Sequence, residues 1–168
     1  MERARQAGER WFGGRSWVGA ALFFAILGAV MTWPLVLHMG SALAGRIGDN
    51  IYFVWMIGWV KKALFDLGAN PFDVWFLNYP EGWNMAYTEI TPAMLGLALP
   101  FSLVGGATFG YNAAMLLSYA LSGLFMFLWV RKLTGSWGAG LVAGTVFACL
   151  PYRTAHFLIG HLNLSGTM

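Results

Sequence analysis

Asp49, Glu89, Arg153, His156 and His161 are of types that could move a proton or hold an anion, and each flanks a hydrophobic segment. Ionisable groups at membrane depth cost a few kcal/mol on insertion scales, so they persist mainly where they pair, bind ions or line a cavity. Asp49, in RIGDNIYFVW, has three candidate roles: general base toward a hydroxyl or amine, ligand to a divalent cation, or N-cap of a helix that Asn50 opens. Glu89, just before Thr91-Pro92, is either a second catalytic acid or a solvated loop residue. Arg153 and His156 are three residues apart and share a face on a helix, an arrangement suited to a phosphate, which a guanidinium grips with two hydrogen bonds. The alternative for Arg153 is snorkelling to lipid headgroups. Tyr152 adjoins them, and together with His161 these residues form the candidate substrate-binding set. On a continuous helix His161 lies about 140° from His156, so the pair lacks the i, i+4 spacing of a helical zinc site. Asp66, Asp73 and Glu81 are expected to be solvated.

Those residues have to be positioned by elements suited to lipid. The 168 residues are 58% hydrophobic and 17% aromatic but only 10% charged, whereas a soluble domain carries about a quarter of its residues as Asp, Glu, Lys and Arg. The composition predicts an all-α polytopic membrane protein with about three to five membrane helices and additional interfacial helices. Cys149 has no second cysteine to pair with and reads as a small buried hydrophobe, and the net charge of +3 is not clustered as a nucleic-acid surface requires.

Residues 1–16, with Arg3, Arg5, Arg10 and Arg15, are expected to form a cytoplasmic tail, and 17–38 a first span anchored by Trp17 and Trp33. The apolar run is too long for a signal-peptide core, which argues against cleavage near Ser41-Ala44. Residues 39–107 then form an external loop holding five of the seven acids. Within it, 51–67 is amphipathic: Tyr52, Phe53, Met56, Ile57, Val60 and Leu64 face one way, and Gly58, Lys61, Lys62 and Asp66 the other, as in an interfacial helix. A Pro- and aromatic-rich loop follows, and 93–104, broken by Pro100, reads as a second interfacial or re-entrant helix. The alternative is that 51–67 and 93–105 both cross, with the same parity. Residues 108–130 make the second span, with Arg131 and Lys132 on the cytoplasmic side, and 137–150 a short third span. Residues 151–168 are an external segment beginning another helix. The small-residue stripe Ala114, Ser118, Ser122 and the G-x-x-x-G of Gly140 and Gly144 read as helix packing. The unfinished last helix reads as the N-terminal portion of a larger protein, or a small subunit that packs against partners.

The order of these features resembles the N-terminal part of GT-C glycosyltransferases, the multispanning class that includes protein mannosyltransferases and the lipid A aminoarabinose transferase. GDNIYFVWMIGWVKKAL is similar to that class's external acid with its first interfacial helix. TPAMLGLALPFSLVGGATFGYNAAMLLSYALSGLFMFLWVRKLTG is similar to the second interfacial helix and second span. NYPEG and LPYRTAHFLIGHLNL also resemble segments of uncharacterised bacterial membrane proteins assigned to the class. The resemblance implies that Asp49 acts as base or binds a divalent cation, with Glu89 assisting and Arg153 and His156 contacting the donor phosphate. It further implies transfer of a sugar from a polyprenyl-phosphate donor to an acceptor at the outer face of a bacterial plasma membrane, with membrane lipid as a partner. Several members carry two adjacent acids where this chain has Asp49-Asn50. The reading from another class is a non-catalytic membrane subunit or transporter fragment whose external loop binds a partner. Ionisable residues at helix ends and not at mid-span count against transport.

Overall fold

The computed structural model describes residues 16–165; the arginine-rich tail of residues 1–15 and the last three residues lie outside that part. The chain is mostly helical: α1 (Ser16–Met31), a 3-10 turn (Leu35–Leu37), α2 (Asp49–Lys61) with a π-helical turn (Lys62–Leu67), a 3-10 turn (Met85–Tyr87), α3 (Pro92–Thr134), α4 (Trp137–Ala148), α5 (Pro151–Leu158) and α6 (Leu162–Ser165). One departure from an all-helical chain is a two-stranded antiparallel pair, β1 (Asp73–Val74) and β2 (Trp83–Asn84), with Asp73 opposite Asn84 and Val74 opposite Trp83.

Helix lengths differ from the expected spans. α1 stops at Met31 and does not run to residue 38, because Pro34 disfavours helix in the residue before it and removes a donor; the Thr32 hydroxyl closes the end by donating to the Gly28 carbonyl at 2.8 Å. Its 16 residues rise about 24 Å. α4 ends at Ala148, three residues before Pro151, and its 12 residues rise about 18 Å. Among the described residues, Pro92–Thr134 is the one helix long and apolar enough to cross a membrane.

That helix contains both the expected interfacial element and the expected second span. Gly106 is non-helical, with φ 83° and ψ 173°, and divides α3 into two halves. The halves fold back on each other: a Cβ at Gly110 would lie 2.7 Å from the Ala98 carbonyl oxygen, whereas twelve residues of straight helix would separate the two by about 18 Å. Near the break Lys61 Nζ donates to the Ser102 carbonyl oxygen at 3.1 Å, placing a cation by the C-terminal, negative end of the first half's dipole.

α2 lies across this hairpin. Phe53, Met56, Ile57 and Val60, an i, i+3, i+4, i+7 stripe, are buried in one cluster with Leu95, Ala98, Tyr111, Ala114 and Met115. Burial of each such side chain contributes about 1.5–3 kcal/mol. Leu64, expected on the same stripe, is exposed, because the chain has passed into the π turn and the 3.6-residue period no longer applies. A second cluster joins α1, α3 and α4 through Phe24 and Phe127. The expected role of Gly140 and Gly144 is met: a Cβ at Gly144 would lie 2.5 Å from the Gly123 carbonyl oxygen, and one at Gly140 2.9 Å from that of Phe127.

Candidate functional site

The connector between α1 and α2 is irregular, so its backbone polar groups need partners from elsewhere. Asn112, buried in α3, supplies three: its Oδ1 accepts from Ala44 N at 3.0 Å, and its Nδ2 donates to the Met39 and Ala42 oxygens at 2.8 and 2.7 Å. Asn50, fully buried, supplies three more: Oδ1 accepts from Gly48 N, and Nδ2 donates to the Ala44 and Arg46 oxygens. The Tyr111 hydroxyl donates to the Gly160 oxygen at 3.0 Å, and Arg46 N donates to the Leu158 oxygen at 2.7 Å. The first of these bonds holds the turn after α5 against α3, and the second holds the end of α5 against the connector that leads into α2.

Asp49 is the first residue of α2; the N-cap is Gly48, and no side chain caps the helix. The expected aspartate cap is therefore corrected: the local side-chain bonds at this end belong to Asn50, and the Asp49 carboxylate is left to interact elsewhere. It does so with His161, whose Nε2 lies 2.6 Å from Asp49 Oδ2. His161 in turn places its Nδ1 3.0 Å from His156 Nδ1, with the rings stacked at 5.1 Å between centroids.

The histidines meet because α5 does not continue. Gly160 takes φ +79°, the left-handed conformation that glycine adopts without a Cβ penalty. His161 N donates to the His156 oxygen at 2.9 Å and Gly160 N to the Phe157 oxygen at 3.1 Å. This is a Schellman ending, which sets the second residue after the cap beside the residue five positions earlier. The two residues in those places are His161 and His156, so the 140° separation expected of a continuous helix is replaced by ring contact.

The other candidates divide. Tyr152 is exposed, with its ring 4.3 Å from that of His156. Glu89 is exposed and its Oε1 accepts from Asn163 Nδ2, while the Glu89 carbonyl accepts from the Tyr52 hydroxyl at 3.3 Å. Glu89 and Asp49 thus contact the same four-residue stretch, His161 to Leu164, at Asn163 and His161. Arg153 departs from expectation. It is 2% exposed, donates to Ser118 Oγ at 3.2 Å and lies over the Tyr119 ring at 5.2 Å. Arg153 and Phe157 form the buried face of α5, and His156 sits on its flank, so Arg153 and His156 do not present a joint surface to a phosphate. Burial pulls the Arg153 guanidinium below its ordinary pKa, while Tyr119 and Cys149 act in the opposite direction.

As a cation site, the arrangement offers Asp49 with one oxygen already engaged, and among the described residues no group of three His, Cys, Asp or Glu side chains is arranged to hold a metal ion. A carboxylate, an imidazole and a second imidazole in series can instead orient a ring and share a proton along the line.

Several residues of the site escaped sequence reading. Asn112 and Tyr111 are polar side chains inside an apolar helix, which is itself a signal. Asn50 was visible beside Asp49, and Gly160 immediately before His161 marked a helix ending. Comparison of the chain with protein-family models, curated proteins and solved structures returns no match.

Proposed function

We propose that the chain works as a polytopic membrane glycosyltransferase, moving a sugar from a polyprenyl-phosphate donor to an acceptor at the outer face of a bacterial plasma membrane. Asp49 and its histidine partners supply the base function, with Glu89 beside them. The reading is carried by one observation: the acid at the start of α2 and the two histidines at the end of α5 and just after it, more than a hundred residues from the acid in sequence, form a single hydrogen-bonded line.

The orientation is supported by distance along α3. Tyr111 and Asn112, which hold the site, lie near the start of its second half, and Arg131 and Lys132 near its end. Twenty residues of helix separate Tyr111 from Arg131, about 30 Å and so about one hydrocarbon thickness. Basic residues favour the cytoplasmic side together with the arginine-rich tail, which leaves the site outside and the N-terminus inside. The reading takes α1 and α4, about 24 and 18 Å long, as further, shorter crossings.

The test is Asp49→Asn in the full chain, assayed in membranes supplied with polyprenyl-phosphate sugar. Loss of transfer at unchanged folding supports the reading. Transfer at the wild-type rate refutes it.

A further inference from the structure

The geometry points to His156 Nε2 as the atom that takes the proton, with His161 and Asp49 as positioning residues behind it; we propose this assignment on the strength of the transferase reading above. Hydrogen-bond direction decides it. Asp49, as a carboxylate, accepts only, so the 2.6 Å contact requires a proton on His161 Nε2. With His161 neutral, its Nδ1 then carries a lone pair. The 3.0 Å contact between the two Nδ1 atoms must therefore be donated by His156. Neutral His156, protonated at Nδ1, keeps its lone pair on Nε2, which has no hydrogen-bond partner among the described residues. The ring is half-buried and fixed from two sides, by the edge contact to Tyr152 at 4.3 Å and by stacking on His161 at 5.1 Å.

Asp49 is worse placed to act directly. Its side chain is 61% exposed, and one oxygen is held in a charge-assisted bond. Imidazole is the side chain whose protonation changes most readily near neutral pH. In the step itself the acceptor O–H bond breaks and its proton goes to His156 Nε2. The acceptor oxygen bonds to the anomeric carbon as that carbon's bond to the donor phosphate oxygen breaks, and the bonding pair leaves with the polyprenyl phosphate. The proton on His156 Nδ1 can then shift to His161 Nδ1, so that the positive charge rests on the imidazolium in contact with the Asp49 carboxylate. The carboxylate stabilises the product of proton transfer without itself being protonated.

The test uses the full chain in lipid nanodiscs with 15N-labelled histidine, reading ring tautomers by long-range nitrogen–proton correlation alongside transfer kinetics. The expected result is His156 protonated at Nδ1 and His161 at Nε2. His156→Asn, which retains a donor near the Nδ1 position but has no Nε2, is expected to lower kcat by ~100-fold or more with little change in KM. His161→Gln, which retains a donor toward Asp49 but offers no lone pair to His156, is expected to return His156 to the Nε2-protonated tautomer and to lower kcat. A wild-type His156 protonated at Nε2 overturns the assignment, as does full turnover in His156→Asn. The expected tautomers in a wild-type chain that transfers no sugar would refute the transferase reading and with it the base role, leaving only the hydrogen-bond directions.

Discussion

Replacing Gly45 with alanine should disable the site without touching any group that does chemistry. Gly45 has φ +86°, and a Cβ there would lie 2.6 Å from the Phe157 oxygen and 3.0 Å from both the Leu158 oxygen and Gly160 N. The left-handed conformation costs an L-residue roughly 1–2 kcal/mol. All three neighbours are backbone atoms, so no side chain can rotate away, and the turn that carries His161 must move off the connector. That movement loosens the 2.7 Å bond from Arg46 N to the Leu158 oxygen, worth about 1 kcal/mol net. The sum is about 2–3 kcal/mol, a large share of a stability that is typically only 5–15 kcal/mol. Displacing the turn also breaks the pair between Asp49 and His161. Gly68→Ala is the matching control: its φ is +58°, but nothing lies within 4 Å of the added methyl, so only the backbone cost applies. Thermal or denaturant unfolding in detergent, run beside the transfer assay, should show Gly45→Ala losing both stability and transfer, and Gly68→Ala losing only about 1–2 kcal/mol with transfer intact. Equal destabilisation of the two variants with normal transfer in Gly45→Ala would refute the argument that this docking holds the pair together.

Asn112→Ala strips three backbone groups of their partner and should cost about 3 kcal/mol, read as a lowered unfolding midpoint in detergent. Arg153→Gln should lower stability by about 1–2 kcal/mol through loss of the Ser118 bond and the contact over Tyr119, with donor KM unchanged; a raised KM at full stability would put the guanidinium on the donor after all. Glu81→Cys in a Cys149→Ala background should react with a membrane-impermeant thiol reagent added outside intact cells, and labelling only after lysis would reverse the orientation.

Elements governed by local rules were legible. The stripe Phe53, Met56, Ile57, Val60 repeats at the helical period and is buried as that period requires, and Gly140 and Gly144 stand where two backbones approach. Lengths were less legible. The run from 17 to 38 is continuous in hydropathy, yet Pro34 ends α1 at Met31, because hydropathy records burial in lipid or core and not whether hydrogen bonding can continue. Conversely, residues 93–104 and 108–130 look like separate elements in composition but are joined through a single non-helical residue, Gly106.

The site was half legible, for a reason that lies in how helices begin and end. Asp49 before a helical run invites the cap assignment, but Asn50, one residue on, is buried and takes the local backbone bonds. Asparagine can do what aspartate cannot: its amide donates to the Ala44 and Arg46 carbonyls while its oxygen accepts from Gly48. That division of labour frees the carboxylate for His161. At the other end, 100° per residue carried straight through the glycine of H-F-L-I-G-H separates the histidines. Read instead as a helix that ends at Ile159 with Gly160 left-handed, the same six residues must return His161 to the level of His156. The spacing that argued against a paired site on a helix is the spacing that builds one at a helix terminus.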